Sequence, residues 1–107
     1  MKEAWDFSTI YVTFSSEEEA KKIAKVVVSE RLAACANIIK SMDSIYIWND
    51  VLEETTEMVC LFKTTKDKVG SLMQRIKELH SYETPCIVEW PIVSGNPNYL
   101  DWIRKSL

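Results

Sequence analysis

The chain has 107 residues, 47% of them hydrophobic, and its 13 basic and 16 acidic residues leave a net charge of −3. That length suits one domain with its own core, so residues 1–107 are read as a single domain. No Lys/Arg run offers a footprint for nucleic acid, and no apolar stretch approaches the ~20 residues of a membrane span.

From the start, Met1 to Phe7 contain no apolar signal segment. Phe7 to Phe14 alternate as a strand, with Ile10, Val12 and Phe14 on one face and Thr9, Tyr11 and Thr13 on the other. Ser16 followed by Glu19 predicts a capping box. Ala20, Ile23, Ala24, Val27 and Val28 then continue at helical spacing, to an end near Leu32. Cys35 to Trp48 is a long extended run that Ser41 to Ser44 can bend or bulge. Asn49-Asp50 suits a two-residue hairpin turn, because both residues tolerate positive φ. A third strand ends at Lys63 or Thr64. Thr65 is positioned to cap a second helix with the stripe Val69, Leu72, Met73, Ile76 and Leu79, stopped before Pro85. Cys86 to Ile92 reads as a fourth strand and Ser94-Gly95 as a turn. Asn96-Pro97 reads as an N-cap and first residue of a terminal helix carrying Tyr99, Leu100, Trp102, Ile103 and Leu107.

The order β-α-β-β-α-β-α places this chain in the α+β class, as a ferredoxin-like sandwich with a C-terminal helix. Right-handed crossovers put both long helices on one face of an antiparallel four-stranded sheet and leave the other face open. The second strand carries Ile45 and Ile47 on one side and Tyr46 and Trp48 on the other. Apolar residues on both sides call for a covering partner, so self-association of the sheet is expected.

Several functions that use this order lack their residues here. The third strand, Met58 to Lys63, has no basic-Gly-aromatic signature for RNA. Thr13 to Ser16 contains neither the paired thiols of a Cu(I) carrier nor an Arg-bearing phosphate loop. No Walker-type glycine loop occurs. The one histidine has no nucleophile placed beside it by the sequence, and a non-catalytic role is expected. Cys35, Cys60 and Cys86 form no Cys-x-x-Cys pair, and are read as buried, reduced cysteines of a cytoplasmic protein.

Five segments carry a family resemblance. They are Leu32-Ala33-Ala34-Cys35 with Asn37-Ile38-Ile39, Ser44-Ile45-Tyr46-Ile47-Trp48, Lys63-Thr64-Thr65, His80-Ser81-Tyr82-Glu83-Thr84-Pro85, and Pro91 through Leu100. In that order and spacing the chain resembles the CutA divalent-cation tolerance family, from about Phe7 to the terminal helix. The resemblance implies a compact homotrimer, a part in tolerance to divalent metals including copper, and structural kinship with P-II signalling trimers. Two departures stand out. Ser81 replaces the family's usual Pro, which is expected to loosen the loop holding His80. Asp50 replaces a Gly at the hairpin, which changes turn chemistry.

Candidate site residues follow. His80 and Glu83, three residues apart, pair an imidazole with a carboxylate, a donor set suited to Cu(II) or Zn(II). The competing reading is structural, with His80 at a helix C-terminus and in line with the Val69 stripe. No cofactor is required, and Cu(II) or another divalent cation is the candidate ligand. Trp48 and Tyr82 can line a cleft between protomers, or simply pack an interface. Lys63 can meet an anion or Glu83 there, or reach solvent. Glu53, Glu54 and Glu57 read as a solvated acidic face. The alternative to metal handling is a signalling or scaffold trimer that binds a small ligand or a protein in that inter-subunit cleft.

Overall fold

In the computed structural model, which describes residues 5–107, the β-branched and aromatic run Phe7–Phe14 forms β1. Its Ile10, Val12 and Phe14 are wholly buried. Helix α1 follows over Glu17–Ser29. A hairpin of β2 (Cys35–Trp48) and β3 (Val51–Thr65) comes next, then α2 (Val69–Leu79), β4 (Ile87–Pro91) and α3 (Pro97–Lys105). The sheet order is β2-β3-β1-β4 and every neighbouring pair is antiparallel. This is the split β-α-β arrangement expected from the element order.

Both long helices cover the same face. Ala20, Ile23, Ala24 and Val27 of α1, with Val69, Leu72 and Ile76 of α2, pack on Ile10, Val12, Phe14, Cys60 and Phe62. Arg75 on α2 donates to both carboxylate oxygens of Glu30 at 2.9 Å, tying the two helices together. Helix α3 takes one end of the opposite face, where Ile103 joins Phe7 and Ala34 in a second small core. Asn96 Oδ1 accepts from Asn98 N at 3.0 Å and Pro97 opens that helix, as expected.

Several boundaries move. Helix α1 stops at Ser29, short of Leu32, because Arg31 adopts a left-handed conformation with φ 63°. Leu32 N then donates to Val27 O and Arg31 N to Val28 O, each at 3.0 Å. This is a Schellman close with arginine where glycine is commonest. Thr65 makes no side-chain cap, and a 3₁₀ turn, Lys66–Lys68, intervenes before α2. The fourth strand is trimmed to Ile87–Pro91, and Ser94-Gly95 lies in an irregular segment with no hydrogen-bonded turn. Of the three thiols only Cys60 is buried. Cys35 is half-buried and Cys86 exposed, which corrects the expectation of three core cysteines.

The hairpin turns at Asn49-Asp50 with φ 52° and 64°, positive at both central residues as a type I′ turn requires. The predicted irregularity in β2 is a bulge. Lys40 and Ser41 face Met58 alone, between the pairs Ile39↔Val59 and Met42↔Glu57, and Ser41 has φ 64°. The extra residue reverses the facing of β2 beyond it. Past the bulge the hairpin projects as an arm, and the molecule measures 45 × 29 × 22 Å.

Candidate functional site

Helix α2 ends at His80, whose ring is buried and stacked on Phe14 at 4.7 Å between centroids. Its Nε2 lies 2.8 Å from Thr13 O, and its Nδ1 lies 3.1 Å from Tyr82 N. A carbonyl oxygen only accepts and an amide N–H only donates, so Nε2 carries the proton and Nδ1 accepts. Both ring nitrogens are therefore engaged within the protomer. His80 locks the end of α2 to the end of β1 and shapes the loop that follows.

That loop is held a second time. Glu19 does not close the capping box, in which only Ser16 Oγ accepts from Glu19 N at 3.1 Å. Its carboxylate instead accepts from Ser81 N at 2.8 Å and from Ser81 Oγ at 3.0 Å. Against the loosening expected from Ser81, serine keeps the N–H that proline lacks, and Glu19 accepts from it.

Beyond the loop, Tyr82 Oη donates to Glu57 at 2.7 Å. Burial, and then the Glu57 carboxylate, push the Tyr82 phenol well above its ordinary range, so it stays a donor. Burial, with Glu57 adding to it, also raises the Cys86 thiol. A thiol held protonated is a poor nucleophile and a poor metal ligand.

These groups line a cavity of about 410 Å³ at the end of the open face away from α3. Tyr46 and Trp48 of β2 and Glu53 and Glu57 of β3 form the arm side of the wall, and Tyr82, Glu83 and Cys86 form the loop side. The hairpin register pairs Tyr46 with Glu53, which sets a ring beside a carboxylate. Trp48 and Tyr82, two of the three residues read as lining a cleft between copies, line this cavity of the single chain together with Glu83. His80, read as the metal partner of Glu83, lies behind the wall with its nitrogens spent.

Lys63 is elsewhere. Its ammonium bonds Asn37 Oδ1 and sits 5.9 Å from the centre of the Tyr99 ring, under α3. Cys35 Sγ and Tyr99 Oη, 3.4 Å apart, belong to the same cluster. Glu53 and Glu57, read from the sequence as solvated, are half-buried cleft residues. Their signal was legible in the sequence. In a two-residue hairpin, positions 53 and 57 alternate onto one face and position 53 pairs with position 46. Among the described residues no three His, Cys, Asp or Glu side chains converge to hold a metal ion.

A split β-α-β chain with an acidic, aromatic-walled cleft at one end of its sheet is a small α+β domain of the ferredoxin-like kind. The particular family follows from comparison. The model of the CutA1 divalent ion tolerance protein family matches residues 8–106. The divalent-cation tolerance protein CutA of Thermus thermophilus is 46% identical over 97 residues, covering 91% of this chain and 94% of that protein. The CutA homolog of Xenopus laevis is 42% identical over 96 residues, covering 90% of this chain but only 64% of that longer protein. The solved structure of the periplasmic divalent cation tolerance protein CutA from Archaeoglobus fulgidus superposes with a TM-score of 0.90 at 39% identity. It covers 94% of this chain and 97% of that one. The chain belongs to the CutA1 divalent ion tolerance family.

Proposed function

We propose that the chain acts as a non-catalytic homotrimer in tolerance of divalent metal ions, binding Cu(II) or a related cation at the cleft that contains Glu83. The observation that carries this reading is family membership over residues 8–106. Two features of the protomer support it. The cleft wall holds three carboxylates, Glu53, Glu57 and Glu83, and no basic side chain. The arm leaves Ile45 at 67%, Ile47 at 70% and Leu52 at 72% exposure, an apolar surface suited to a neighbouring copy.

His80 can join Glu83 as a ligand only by giving up its bond from Tyr82 N or its bond to Thr13 O. We therefore assign Glu83 to the ion and His80 to holding the loop, with the remaining donors coming from a neighbouring protomer. Sizing by sedimentation is expected to give about three times 12.4 kDa. Calorimetric titration with Cu(II) is expected to show Glu83→Gln weakening binding by about tenfold or more. A monomer at micromolar concentration sinks the assembly, and unchanged Cu(II) binding in Glu83→Gln sinks the site. We infer a cytoplasmic location from the three unpaired thiols. Because the Archaeoglobus fulgidus relative is described as periplasmic, cell fractionation is the deciding measurement.

A second reading rests on the size and lining of the cleft. A 410 Å³ cavity walled by three aromatic rings suits a small organic ligand, as in a P-II-like signalling or scaffold trimer. Tryptophan fluorescence responding to such a ligand and not to metal ions would favour it.

A further inference from the structure

We propose that the cleft between Trp48 and Tyr82 binds an organic ammonium ion. The proposal names the ligand class for the small-ligand reading and rests on that reading. Its first support is charge. Glu53, Glu57 and Glu83 are the carboxylates of the cavity wall, and no lysine, arginine or histidine lines it. Among the described residues none of the three carboxylates makes an ion pair. Within one chain an anionic ligand would therefore meet carboxylates and no basic partner, and a neutral one would displace water from Glu53 and Glu83 without compensation.

The second support is the kind of surface between those charges. Tyr46, Trp48 and Tyr82 present aromatic rings to the same space. Ring quadrupoles attract weakly hydrated cations, and quaternary or alkyl ammonium groups are the usual beneficiaries. A small, strongly hydrated metal ion gains little from such rings.

The third support is size and dispersion. The cavity holds about 410 Å³, within the span of small-molecule sites. Within the protomer its carboxylates do not gather into a group of three metal donors. Charges spread round an aromatic cavity match a cation whose charge is spread over a molecular volume. Glu57 is oriented by the 2.7 Å bond from Tyr82 Oη, so one ring and one carboxylate are set relative to each other before any ligand arrives.

The test is calorimetry on the full chain with choline and with its uncharged isostere, 3,3-dimethylbutan-1-ol. Saturable choline binding is expected, with the isostere weaker by about tenfold or more. Trp48→Ala and Glu53→Gln are each expected to weaken choline by a similar factor. Trp48 is 54% exposed, so its replacement leaves the core intact, and a thermal melt of each variant confirms the fold. Equal binding of the isostere overturns the ammonium assignment and keeps a small-ligand cleft. Binding of neither compound, or choline binding indifferent to both substitutions, overturns the proposal outright. Loss of Cu(II) binding alone bears on the metal reading and not on this one.

Discussion

The two ends of the β2–β3 hairpin carry the same kind of sequence and meet opposite fates. Near the helices, Cys60 and Phe62 alternate inward and are wholly buried beneath α1 and α2. Beyond the bulge at Lys40 and Ser41, Ile45, Ile47 and Leu52 alternate just as regularly, yet are about two-thirds or more exposed. Period-two patterning therefore identifies a strand and its faces, but not what covers them. Burying one such side chain is worth about 1.5–3 kcal/mol, and the isolated protomer leaves that gain unrealised along the arm. The cleft lies where the two regions meet, with the arm supplying Tyr46, Trp48 and Glu53 and the helix-covered half supplying Thr13 and the loop after His80.

The largest expected effect breaks the covered half. Phe62→Ala deletes a fully buried ring and should cost about 3–5 kcal/mol, read as a lowered denaturant midpoint. A loss below about 1 kcal/mol would show that this part of the core is not closely packed. Leu52→Glu should do the reverse. The chain should keep its fold to within about 0.5 kcal/mol, while sedimentation shows loss of the proposed trimer and melting no longer depends on concentration. An intact assembly in that variant would mean that the arm is not the contact surface.

The smallest expected effects sharpen the comparison, with one left-handed residue in each region. Arg31→Gly should stabilise the protomer by about 0.5–1 kcal/mol, because glycine adopts the φ of 63° without the steric cost that arginine bears. Asp50→Gly at the tip of the arm should give a few tenths to about 1 kcal/mol, because type I′ turns favour Asn-Gly. Chemical denaturation measures both. If Arg31→Gly destabilises instead, the bond from its Nη1 to Ser106 O at 3.3 Å contributes more than its exposed position suggests.

The candidate site was legible in part. Trp48 and Tyr82 line one cavity of the single chain with Glu83, and strand alternation already held the signal for Glu53 and Glu57. Lys63 was read into a cleft between copies; within one chain the 15-residue β3 carries it to the far end, beneath Tyr99. The capping-box motif was half right, because the carboxylate of Glu19 found a partner 62 residues away in Ser81.

What the sequence by itself determined is the class of fold, the element order, the two-residue hairpin turn, the cap at Asn96 and the family. These depend on periodicity, on φ preferences and on motifs, all of which act over a few residues. Only the tertiary structure decided that His80 spends both nitrogens on Thr13 and Tyr82, that Cys35 and Cys86 lie outside the core, and that α3 closes one end of the open face and leaves the cleft at the other. The reason is that hydrogen-bond satisfaction and burial belong to the neighbours a side chain meets in space, and a local pattern does not carry them.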